Sequence, residues 1–168
     1  MPASLAGSHH ESAKLGAAVL YRHRGSPAVR HRCVPVRAAQ ERANEEEAIW
    51  QQISDAYIDF LEVVLANPDL RLRSQNATPN LSDEQRERMW VIFDMLISLF
   101  ERAYLLAYQE DMDAKQRRRW HSWEDYMREW SRREDFRERL PHLLRGEDPD
   151  FAAYIRRLAE EEARELQG

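Results

Sequence analysis

From Leu81 to Tyr108 the chain runs through its most apolar segment, and it enters that segment by a helix start. Ser82 with Gln85 three residues later is a capping box. Each side chain can satisfy a backbone N–H that the first turn leaves free, while Asp83 and Glu84 suit the positive end of the helix dipole. Between Met89 and Tyr108 the polar interruptions are Asp94, Ser98, Glu101 and Arg102, spaced to fall on one narrow stripe of a helix that is otherwise apolar most of the way round. Such a rod has to be enclosed by other helices. The pattern predicts a central helix over about residues 82–111, with the rest of the chain packed round it.

Composition agrees with that frame. A chain of 168 residues is about one domain, and 5 Gly with 7 Pro suit a helical protein better than a turn-rich sheet. Net charge is −5, but residues 1–40 carry +5 and residues 41–168 carry −10. An acidic body argues against dedicated nucleic-acid binding, which rests on a continuous basic face. Cys33 is the only cysteine, so neither an intramolecular disulfide nor a multi-cysteine zinc site can form. A membrane span of roughly 18 to 20 apolar residues is missing, and Asp94, Glu101 and Arg102 would lie at bilayer depth in the best candidate. A cytoplasmic location is the expectation.

Residues 1–40 read as a disordered basic leader in which Pro27 and Pro35 break regular structure. The apolar run from Leu15 to Leu20 is too short for a secretory core, although an acid-poor, Arg-rich leader resembles an organellar transit peptide in composition. Residues 41–166 read as a single helical domain. Ile49, Ile53, Ala56, Tyr57, Phe60 and Val64 recur at helical spacing, giving a first helix with acidic opening turns that ends at Asn67 and Pro68. Residues 70–80 form a connection. Asp113 with Gln116 starts a third helix from Ala114 to about Trp130, and Ser131 with Glu134 makes a cap-like pair before a short helix that runs to Pro141. Asp148 followed by Pro149 starts the last helix, with Phe151, Tyr154, Ile155, Leu158 and Ala159 inward. The expectation is an all-α bundle of four main helices and one short one.

Three residue groups bear on function. Asp94, Ser98, Glu101 and Arg102 would be costly on an enclosed face unless paired, so they mark a ligand contact, an internal ion-pair network, or a stripe that simply meets water. Trp120, Trp123, Tyr126 and Trp130 make an aromatic wall that either lines a pocket with the first group or belongs to the core. Lys115, Arg117, Arg118 and Arg119 form the one dense basic run of the body, either an anion contact for phosphate, lipid headgroups or nucleic acid or a solvated face balancing Glu110, Asp111 and Asp113. His121 and His142 are isolated, and no metal-ligand spacing, phosphate-cradling Gly loop or nucleophile elbow occurs, so no metal, cofactor or catalytic residue is expected.

With these residues in view, Tyr57 to Leu61 with Asn67 to Leu70, Phe100 to Tyr104, Trp120 and Trp123, Asp135 to Arg137 and Asp150 to Tyr154 together form a pattern. It resembles a group of uncharacterised bacterial helical domains over about residues 45–160. The resemblance implies a cytosolic domain of a kind found alone, behind a membrane helix, or attached to amino-acid-permease-like transporters. It supplies no catalytic residues. Three readings follow: an interaction or regulatory module with a protein partner, in some cases beside a membrane protein; a small-molecule sensor or enzyme; and peripheral contact with an anionic surface.

Overall fold

A computed structural model describes residues 33–167 and divides the chain into two units, 1–38 and 39–168. Most of the leader therefore lies outside the described residues. Its last part, expected to be irregular, is helical: α1 spans Cys33–Ala66. Pro35 is accommodated because it falls in the first turn, where a helix has no use for its missing N–H. Consequently the acidic residues Glu45, Glu46 and Glu47 sit in the middle of α1 and not in its opening turns.

After α1 a single 3-10 turn, Pro68–Leu70, begins the connection. Asn67 holds the junction by donating its side-chain amide to the Val63 carbonyl at 2.8 Å. Helix α2 spans Asp83–Ala107, with the capping box of Ser82 and Gln85 formed in both directions. It ends one turn earlier than residue 111. Helix α3 spans Ala114–Ser131, and Asp113 accepts from the Lys115 and Gln116 amides while Gln116 accepts from that of Asp113. Helix α4 spans Glu134–Leu143 and α5 spans Pro149–Glu165, the latter capped by Asp148. Gly146, at φ +92°, turns the chain between them in a conformation that favours glycine. Among the described residues there are five α-helices and no strand, and no helix is long and apolar enough to cross a membrane.

Two expected boundaries are corrected. Ser131 does not cap α4; it is the last, fully buried residue of α3. Arg137 instead closes the end of α3, donating to the Ser131 and Arg132 carbonyls at 2.7 and 2.6 Å, a basic side chain answering free carbonyls. Nor does Pro141 stop α4, since in the last turn its ring forfeits only one hydrogen bond and the Leu144 amide still reaches the Leu140 carbonyl.

Helices α2 and α3 share the middle of the body: α3 packs most closely on α5 and also lies against α2 and α4, and α2 lies against α3, α4 and α5. Its indoles meet α2 as an antiparallel ladder, Trp130 against Phe93, Trp123 against Phe100 and Trp120 against Tyr104, with ring centroids 6.1 to 6.5 Å apart. From α1, Tyr57 meets Trp123 and Phe60 meets Trp130, so α1 attaches through large rings. Helix α2 is correspondingly one-sided: Ile92, Phe93, Leu96, Ile97, Phe100 and Ala103 are buried, while Val91, Met95, Leu105 and Leu106 face water.

The loop between α1 and α2 is pinned by Arg133, which is 2 % exposed. Its guanidinium makes a two-pronged pair with Asp135 at 3.0 and 2.7 Å and donates to the Arg71 and Ser74 carbonyls at 3.0 and 2.7 Å. Removing it would leave a carboxylate and two carbonyls unanswered. Arg133→Ala should cost about 3–5 kcal/mol in urea unfolding, as loss of one partner of a buried pair does. A cost under about 1 kcal/mol would show that water replaces the clamp.

Candidate functional site

The pocket expected between the polar stripe of α2 and the indole wall does not form. Trp120, Trp123 and Trp130 are buried against the inner face of α2, and Tyr126 stacks on Tyr57 at 4.3 Å. Asp94, Ser98 and Arg102 are exposed on the outer face of the same helix. The two groups are back to back.

Glu101 leaves the stripe. It accepts from the Asp148 amide at the start of α5 and lies beside Glu147. A hydrogen bond shared with Glu101, partial burial and the charges of Glu101 and Asp94 push the Glu147 carboxyl up to about 7. The pair therefore holds a proton where separate carboxyls would not.

The most elaborate polar arrangement lies between α3 and α5, and no local sequence pattern announces it. The Trp120 indole N–H donates to the Tyr154 hydroxyl at 2.9 Å, which in turn donates to Glu124 at 2.6 Å. Arg128 bridges Glu124, Glu161 and Glu162 at 2.9, 2.8 and 3.3 Å, and Arg132 donates to Glu162 at 2.8 Å. Glu162 is 2 % exposed, so its charge is sustained by two guanidiniums. Burial raises the Tyr154 hydroxyl well above its ordinary range, with Glu124 adding to the effect. For Glu124 burial works in the same upward direction, but hydrogen bonds from Tyr154 and Arg128 outweigh it and hold the carboxyl low. Only the spacing of Glu161 and Glu162 against two arginines could have pointed to the network from sequence. These groups hold one another, and α5 to α3.

The basic run is divided by the helix it lies on. Arg119 turns to α1, where it meets Glu47 at 2.6 Å and the face of Trp50 at 5.8 Å, and Arg117 donates to the Met112 carbonyl at 3.1 Å. Lys115 and Arg118 are exposed. Of the four charges, Lys115, Arg117 and Arg118 lie at the surface, and Arg119 is drawn onto α1. Among the described residues no three His, Cys, Asp or Glu side chains are grouped to hold a metal ion.

A groove between α4 and α5, floored by Leu140, Pro141, Ala159 and Ala163, measures about 250 Å3, and two more polar clefts, one beside Trp90 and Arg139 and one beside Tyr104 and Asp150, measure about 520 and 480 Å3. Exposed apolar side chains are concentrated on the outer face of α2. Val91 is 53 %, Met95 44 %, Leu105 58 % and Leu106 40 % exposed, beside the exposed Asp94, Ser98 and Arg102. On α1, Ile58 and Leu65 are exposed as well. The apolar count of the Leu81–Tyr108 segment contained this face, but hydropathy alone assigned it to the core.

Two outcomes test the electrostatics. Tyr154→Phe removes the link between the Trp120 N–H and Glu124, and should cost about 1–3 kcal/mol by chemical denaturation. For Glu147 the folded carboxyl binds its proton more tightly than the unfolded one, at about 7 against 4.5. The stabilisation is present below the unfolded value and is lost as pH rises through the folded one. Glu147→Gln should therefore leave Tm close to wild type at pH 5 and raise it relative to wild type at pH 8; equal differences at both pH values would exclude the shared proton. No protein-family model, curated protein or solved structure matches this chain.

Proposed function

We propose that the chain is a non-catalytic interaction module and that the outer face of α2 is where it engages other proteins. The observation that carries this reading is the strip of large apolar side chains left in water on a helix whose other face is core. Soluble proteins seldom leave such side chains grouped without a use, and grouped apolar residues with a few polar ones among them are what interfaces are made of. The ionisable groups inside the body favour the same conclusion. Arg128, Glu162, Arg133 and Asp135 are answered by fixed partners, whereas an acid–base centre needs a group open to a reacting molecule. A cytoplasmic setting beside a membrane protein is part of the proposal, drawn from the resemblance to domains attached to permease-like transporters.

The test is affinity capture of the tagged full chain after crosslinking in its source cell. Val91→Asp and Leu105→Asp should each weaken recovery of the partner by about tenfold, the effect of desolvating a charge in an apolar contact. Lys115→Ser with Arg118→Ser should leave it unchanged. The reverse pattern, loss with the basic pair and none with the α2 variants, would replace this reading with contact to an anionic surface.

A further inference from the structure

The exposed strip of α2 is its own complement under a two-fold rotation. Ser98 stands at its middle. Asp94 lies four residues before Ser98 and Arg102 four residues after; Val91 lies seven before and Leu105 seven after, and all five are exposed. If two such helices meet face to face and antiparallel about an axis through Ser98, residues equidistant from Ser98 come level with one another. Asp94 of each copy then stands level with Arg102 of the other, about 6 Å along the helix from the axis on either side at 1.5 Å per residue. Val91 of each copy stands level with Leu105 of the other. The contact is isologous: the same patch supplies both sides, and each attraction occurs twice.

Three further features favour this arrangement over other occupants. The seven-residue spacing of Val91, Ser98 and Leu105 is that of a helix-pairing seam. At the crossing point stands serine, small enough for close approach of two backbones, while the larger Met95 and Leu106 flank it. Glu101, which would otherwise add a second negative charge to the strip, is drawn aside to the Asp148 amide. The charges decide the direction, since a parallel pairing sets Asp94 against Asp94 and Arg102 against Arg102. On a body of charge −10, this strip is a place where opposite charges are arranged to answer a second copy.

We infer that a second copy of this chain occupies the outer face of α2, in an antiparallel α2–α2 pairing centred on Ser98. The inference rests on reading that face as an interaction surface, and it names the partner.

Sedimentation equilibrium of the full chain tests it. A reversible dimer is expected, weakened by added salt, which screens the two exposed ion pairs. Asp94→Arg and Arg102→Asp should each weaken the dimer by at least about tenfold, because each places like charges level on both sides of the axis, and the double exchange should restore it to within about threefold. Side chains at these positions are exposed, so the folded monomer tolerates the changes. In a Cys33→Ser background, Ser98→Cys should crosslink between copies under mild oxidation, whereas Val91→Cys should not, its two copies lying about 21 Å apart along the helices. A chain that stays monomeric to about 1 mM, a free energy too small for any specific pairing, overturns the inference. So does a dimer indifferent to both charge reversals. A monomer whose captured partner is still lost on Val91→Asp would overturn the pairing while leaving the interaction module standing.

Discussion

The body of this protein hangs on an antiparallel ladder of aromatic rings between α2 and α3. Phe93, Phe100 and Tyr104 face Trp130, Trp123 and Trp120 in turn, and every other element joins by adding rings or charges to the same column. Helix α1 contributes Tyr57 and Phe60, α4 contributes Phe136, and α5 contributes Tyr154. Large rings fill the space between helices with few residues and leave each helix room to keep its other face for something else. That is why α2 can be strongly apolar by count and still show one face to water.

Charge is handled by a different rule. The acidic body does not merely carry its excess on the surface; it draws two carboxylates of α5 onto Arg128 and Arg132 of α3, one of them almost wholly buried. Such an arrangement adds little net stability over apolar packing, since two charges lose water to form it, but it tolerates no slippage of α5 along α3. The register so fixed also sets Tyr154 under the Trp120 indole. Interior electrostatics therefore specify alignment, and the opposite charges of α2, Asp94 and Arg102, are left on its exposed face.

Much of this was legible from the chain itself. Both capping boxes, the Asp148–Pro149 start and the inward residues of α5 were read correctly because each rests on short-range chemistry that neighbours cannot override. The indoles at 120, 123 and 130 suit either a pocket wall or the core by their spacing, and they are buried. The rest depends on which element lies behind which. Hydropathy encloses α2 on nearly every side, because counting apolar residues cannot tell a face covered by the same chain from one left bare. Ser131 looked like a cap because its sequence neighbours suited one, but the end of α3 ran through it and Arg137 took over the free carbonyls. Asp94, Ser98 and Arg102 were singled out correctly as unusual, while the pocket imagined for them required the indoles to be on the wrong side of the helix. The Tyr154 to Glu162 network joins residues about thirty positions apart from α3, and no local pattern announces it.

Among the described side chains of α1 the first buried apolar one is Trp50, and those of residues 39–48 are exposed except that of Glu46. There Glu47 meets Arg119 of α3, and a surface ion pair of this kind is worth under about 1 kcal/mol. Helix here is inherited from the anchored half below. Amide protons in residues 39–48 should consequently exchange by local fraying, orders of magnitude faster than those near Tyr57, whose release needs the ring column to open. Opening of those turns leaves Tyr57 and Phe60 seated on the indoles of α3, so the start of the helix and the body come apart in separate steps.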